Sequence, residues 1–230
     1  MADQPPPLAP PQMVVNSRML YTSWMPADPE AAAALLPDGG PTPAGPVYMN
    51  QYVVDRDEQT SGFGAYSLTY LGLDIKDMFD PAGAIPARYM LFYLNSSPVM
   101  REFAERVYGL PAVPGTTELT ASNGTVVATT SLDGEPVIRT TASISDDILM
   151  VARGQLTYVR ELDGKFFAGN FPFIADLADG FTVTSVEFLD PDHPVYALRP
   201  ADPLEVVVAS SFYSPDDSFV YPGGIEEVSF

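Results

Sequence analysis

Cysteine is absent from this chain of 230 residues, which excludes disulfide frameworks, thiol nucleophiles and cysteine zinc sites. Histidine occurs once, as His193, so His-rich metal centres are excluded and a histidine triad has one candidate. Lysine is almost as scarce, with only Lys76 and Lys165. Eleven basic residues face 30 acidic ones, a formal net charge of −19. That field repels phosphate backbones and anionic membrane surfaces, which argues against nucleic acid and membrane partners. No apolar run reaches the ~18 residues of a membrane helix. The opening Met-Ala-Asp-Gln-Pro-Pro-Pro has neither the basic nor the apolar part of a signal peptide. A soluble cytoplasmic protein is expected. Gly-rich phosphate loops, Gly-x-Ser-x-Gly elbows and His-Glu-x-x-His are also missing.

What is there is core-forming: 46% of residues are hydrophobic and only 18% charged. Residues 1–12, with five prolines, read as a flexible arm, and 13–230 as one domain without repeats. Asp28-Pro29-Glu30 before four alanines has the cap, proline and acid of a helix start. Ser97-Pro98 opens a second helix that Gly109 stops, with Val99, Phe103 and Val107 on one face and Glu102 paired to Arg106. Nine segments rich in Val, Thr, Tyr and Phe read as strands: 47–54, 65–74, 88–94, 125–132, 136–144, 155–161, 165–173, 181–189 and 204–213. Asn123-Gly124, Asp133-Gly134 and Asp163-Gly164 are hairpin dipeptides. The fold class is mainly β (α+β), an antiparallel barrel-like domain with two or three short helices, since closure removes sheet edges and encloses a cavity.

Acidic clusters lie beside turn residues. Asp190-Pro191-Asp192-His193-Pro194 reads as a turn rather than a metal site, and Asp146-Asp147 and Asp216-Asp217 as solvated loops. Asp55, Asp57 and Glu58 read as a hairpin tip, so no metal or other cofactor is expected. Lys165 follows an Asp-Gly turn, and Lys76 lies between Asp74 and Asp77. A Schiff-base lysine needs the opposite setting, an apolar pocket or a neighbouring cation.

Several motifs occur in one order and spacing: Arg18 through Leu35-Leu36-Pro37, Thr60-Ser61-Gly62-Phe63-Gly64-Ala65-Tyr66, Tyr93-Leu94, Tyr108-Gly109-Leu110-Pro111, and Leu204–Phe212. Together they resemble the acetoacetate decarboxylase superfamily from about Arg18 to the C-terminus. The resemblance implies that family's fold, a homo-oligomer, and a cavity for a small-molecule substrate. It makes Leu204–Phe212 the last strand and places Arg18 near the substrate acid. It also implies departures. Ala112 and Val113 stand where the family has its imine-forming lysine and a second lysine. Leu68 replaces one pocket glutamate and Gln51 aligns with another.

Losing nucleophile, neighbouring cation and carboxylates together leaves an apolar, aromatic cavity. Alternation along 65–74 puts Tyr66, Leu68 and Tyr70 on one face, which the Leu68 match makes the pocket side. Tyr66 and Tyr70 read equally well as core. The candidate catalytic residues are Arg18, Gln51, Tyr66 and Tyr70. Leu68, Leu110, Ala112 and Val113 would line the substrate, with Pro98–Tyr108 delivering 109–113 to the cavity. Two functions fit. One is an enzyme without a covalent intermediate, a cyclase, dehydratase or isomerase of bacterial secondary metabolism acting on a hydrophobic carbonyl or polyene. The other is a ligand-binding protein that kept the cavity and lost the chemistry. A lysine-independent decarboxylase comes third.

Overall fold

A computed structural model describes residues 7–230. In chain order its elements are β1 (Gln12–Trp24), α1 (Pro29–Ala33), β2 (Pro43–Val54), β3 (Tyr66–Phe79), β4 (Pro86–Asn95), α2 (Pro98–Tyr108), β5 (Ala112–Pro114), β6 (Thr116–Ser122), β7 (Thr125–Leu132), β8 (Glu135–Ser143), β9 (Ile148–Leu162), β10 (Lys165–Ala178), β11 (Thr182–Phe188), β12 (Phe212–Tyr221) and β13 (Glu226–Val228). The hairpins form where turn chemistry demands them. Asn123, Asp133 and Asp163 and the glycine after each all have positive φ, the conformation of a two-residue hairpin loop.

Among the described residues nine strands make one sheet and four make a second. In the large sheet β12, β1, β2, β3, β4, β9 and β10 are neighbours in that order, and β12 also pairs with β10. The path of pairings therefore returns on itself. Most pairs are antiparallel, but β4 runs parallel to both β5 and β9, so the sheet is mixed. The second sheet, in the order β11-β8-β7-β6, covers part of the outer face. Thr69 Oγ1 lies 2.7 Å from Thr117 Oγ1 and 2.6 Å from Thr130 Oγ1, a polar seam between the sheets.

Side-chain alternation gives the strands of the large sheet an inner and an outer face. Met19, Tyr21, Tyr48, Tyr52, Tyr66, Leu68, Tyr70 and Tyr93 point inside the large sheet. Trp24, Val47, Met49, Leu71 and Leu73 point outward, against Val137, Ile138, Val183 and Val186 of the second sheet. Trp24 is fully buried there and donates to Leu198 O at 2.9 Å. Gly72 marks a bulge between β3 and β4, because a Cβ there would sit 1.9 Å from Tyr89 O.

Both helices start at their expected caps. The Asp28 side chain accepts from Ala31 N, and that of Ser97 from Met100 N. Gly109 ends α2 at φ 63°. The buried stripe of α2 is Met100, Phe103, Ala104 and Tyr108, while Val99 is exposed, so the expected face is turned by about one residue. Arg106 turns to the Leu8 carbonyl rather than to Glu102.

Of the arm expected over 1–12, residues 1–6 lie outside the described residues. Leu8 packs on the inner core and Gln12 begins β1. The strand expected over 204–213 is also corrected. Residues 204–211 run as a strap with one bridge, Trp24 to Val206, and a 3₁₀ turn at Val208–Ser210; the strand is β12. Ser211 Oγ bonds Val207 O at 2.9 Å, a local side-chain bond that competes with ladder formation.

Candidate active site

Inside the ring of strands lies an aromatic cavity. Tyr21, Tyr70, Tyr93, Tyr158, Phe171 and Tyr221 dominate its wall. The cavity volume is about 60 Å³. The innermost space therefore suits a slender group.

Two hydrogen-bonded tyrosine clusters form this wall and the layer behind it. Tyr158 OH lies 2.9 Å from Tyr70 OH and 3.3 Å from Tyr21 OH, and Asn50 Nδ2 donates to Tyr70 OH at 2.8 Å. Tyr52 OH lies 2.7 Å from Tyr66 OH and 2.6 Å from Tyr221 OH. Burial pushes all of these phenols up from their ordinary value, so they stay neutral and serve as donors. Below the first cluster, Arg88 bonds Asp74 at 3.2 Å and its guanidinium stacks 4.8 Å over the Tyr21 ring. Burial pushes the Asp74 carboxyl up, and Arg88 partly offsets it.

Three residues of the cavity wall carry buried polar atoms without a hydrogen-bond partner among the described residues: Asn50 Oδ1, Arg160 Nε, and both carboxyl oxygens of Asp217. Arg160 spends its other nitrogens on backbone, Nη1 on Met90 O at 3.4 Å and Nη2 on Glu161 O at 3.1 Å. Asp217 is 1% exposed, and burial, then the charge of Asp216, raises its carboxyl to about 8. Neither lysine lines the cavity: Lys165 pairs with Glu227 at 2.7 Å on the surface, and Lys76 is exposed.

The expected site residues divide. Tyr70 and Leu110 are on the cavity wall. Tyr66, Leu68 and Ala112 are in the same inner core, behind that wall. Arg18, Gln51 and Val113 are elsewhere. The resemblance implies a place for Arg18 near the substrate acid. Arg18 instead forms a fork on Asp55, at 2.9 and 2.7 Å, and donates to Leu119 O at 2.6 Å. Gln51 donates to Thr130 Oγ1 at 2.9 Å in the seam between the sheets. The reason is strand phase. Gln51 pairs with the outward Leu20, whereas its neighbour Asn50 pairs with the inward Tyr21. Val113 is 42% exposed.

The reading of Asp216-Asp217 as a solvated loop is overturned at Asp217, which lies within β12 between Ser17 and Ala175. His193 has a structural place, its Nδ1 accepting from Val195 N at 3.1 Å and its ring against Phe92. Tyr158, Arg160 and Asn50 also line the cavity, beyond the residues expected there. The available signal was phase: Leu156, Tyr158 and Arg160 alternate on β9, so an arginine occupies an inward position.

A ring of strands around such a cavity, with one helix packed into its inner core, is the acetoacetate decarboxylase-type architecture. A solved acetoacetate decarboxylase matches with a TM-score of 0.67 at 16% identity, over 96% of this chain and 91% of the other. The acetoacetate decarboxylase of Legionella pneumophila matches at 0.67 and 12%, over 99% and 93%. The enduracididine biosynthesis enzyme MppR, complexed with the condensation product of pyruvate and imidazole 4-carboxaldehyde, matches at 0.62 and 14%, over 96% and 90%. At these identities the likeness is one of fold. No protein-family model and no curated protein matches the sequence.

Proposed function

We propose that this protein is a small-molecule enzyme that works without a lysine imine, holding a hydrophobic carbonyl or polyene substrate in the aromatic cavity for cyclisation, dehydration or isomerisation. One observation carries the reading: the cavity wall combines neutral phenols, an arginine and a carboxyl group, while both lysines lie on the outside. Phenol donors can polarise a carbonyl without forming a bond to it. Holding one reactive conformer can lower a barrier by ~7–11 kcal/mol. A setting in bacterial secondary metabolism belongs to the proposal, supported by the fold shared with an enduracididine biosynthesis enzyme. So do a cytoplasmic location and a homo-oligomer, the latter checked by light scattering.

The second reading is a binding protein on the same fold, favoured by how tightly the wall is packed. Incubation with a panel of conjugated enones and polyenals, followed by mass spectrometry, separates the two. New products that need the folded protein support the enzyme. Ligand retained unchanged across the whole panel supports the binder and overturns the first reading.

A further inference from the structure

Resting on the reading above, that the cavity takes a carbonyl ligand, we propose that the Asp217 carboxyl group is the hydrogen-bond donor to the ligand's carbonyl oxygen and the acid–base group of reactions there. The backbone of Asp217 is held on both sides, by Ser17 on β1 and Ala175 on β10, and Ser17 Oγ bonds its carbonyl at 3.0 Å. Register shifts flank the position, between Val14 and Ser17 and between Ser17 and Met19. Such bulges re-aim side chains. Ordinary alternation puts Asp217 in phase with Phe219 and Tyr221, and all three line the cavity, as does Phe212 on the other side of the shift. Asp216 falls on the opposite phase.

The two carboxyl oxygens meet no partner among the described residues, although the residue is 1% exposed. A buried polar group without a partner costs about 1–3 kcal/mol, and Asp217 is one of the residues that line the cavity. The groups around it explain its charge state. Ser17 and Ala175 are neutral, Arg18 lies on the outward phase of β1 committed to Asp55, and Asp216 is an acid. Arg160 belongs to another part of the wall. It pairs with Phe167, and Asp217 with Ala175, eight residues further along β10, or roughly 26 Å of strand. With burial and a like charge acting together, the carboxyl is held protonated near neutrality. A neutral acid donates to an uncharged carbonyl, which a carboxylate repels.

The chemistry this permits is enolisation that balances on one group. Asp217 gives its proton to the carbonyl oxygen as the C=O π pair forms the new O–H bond. The α C–H pair becomes the C=C bond, and the leaving α proton returns to the carboxylate. The acid ends as it began.

The test compares two probes, benzylideneacetone and the hydrocarbon with isopropenyl in place of its acetyl group, on wild type, Asp217→Leu and Asp217→Asn. Wild type should prefer the ketone at least about tenfold. Asp217→Leu should lose that preference and still bind the hydrocarbon. Asp217→Asn, which preserves shape should the leucine variant not fold, should keep only part of it. An unchanged preference in either folded variant overturns the role of Asp217 while leaving the cavity reading intact. If neither probe binds wild type, the cavity reading itself fails and this inference falls with it.

Discussion

Arg88 and Asp74 meet at 3.2 Å in the inner core, each 3% exposed, with the rings of Tyr21 and Tyr48 stacked on the guanidinium. Breaking such a pair on one side costs more than the pair is worth, because the remaining charge stays buried. Asp74→Ala should lose about 3–5 kcal/mol in urea unfolding. The double variant Asp74→Leu with Arg88→Met should lose much less. If the single and double variants lose the same amount, the pair is not a coupled unit.

Arg18→Ala should act on the fold alone. Its fork on Asp55 is partly solvated, with side-chain exposures of 30% and 46%, so the ion pair contributes at most about 1 kcal/mol. Affinity for a cavity probe such as benzylideneacetone should change by less than about threefold, or ~0.7 kcal/mol. A tenfold loss with unchanged stability would return Arg18 to the site.

Borohydride reduction in the presence of acetoacetate or pyruvate should leave the protein mass unchanged. Lys165 is engaged with Glu227 outside the cavity, and Lys76 is on the exposed end of β3. A reduced adduct mapped to either lysine contradicts the imine-free reading.

Asp217 should give stability a pH dependence of unusual sign. Its carboxyl is raised from 3.8 to about 8 on folding, so between those values the folded chain holds a proton that the unfolded chain has released. Stability contributed by that group is present in full below the lower value and falls as pH rises toward the upper one, by up to about 1.4 kcal/mol per pH unit. Unfolding free energies at about pH 5 and about pH 8 should diverge more for wild type than for Asp217→Asn. Parallel profiles would show that the group is ionised in the fold.

The local chemistry of turns and caps was legible in the sequence. Asp28, Ser97, Gly109 and the three hairpin dipeptides act through their own side chains or backbone, so neighbours suffice to read them. The alternation of Tyr66, Leu68 and Tyr70 was legible for the same reason. Phase relative to a partner strand was not. Nothing adjacent to Gln51 reveals that it pairs with outward Leu20, and only that pairing separates it from inward Asn50. Family spacing located Arg18 along the chain and implied the substrate side, but the face it takes is set by its pairing with Val53 on β2. Asp217 was hidden by composition, since Ser-Pro-Asp-Asp has the content of a turn. Within a ladder held on both sides the same residues form a bulged strand instead.

The single tryptophan has a practical consequence. Trp24 lies in the outward core, its indole edge against Phe188 and its Nε1 on Leu198 O, on the far side of the sheet from the tyrosine cavity. The molecule thus carries two optical reporters that watch different compartments. Ultraviolet difference spectra of the phenols sense occupancy of the interior. Indole emission senses whether the covering sheet remains seated. A ligand that perturbs the first signal and leaves the second untouched has entered the ring without loosening its outer layer.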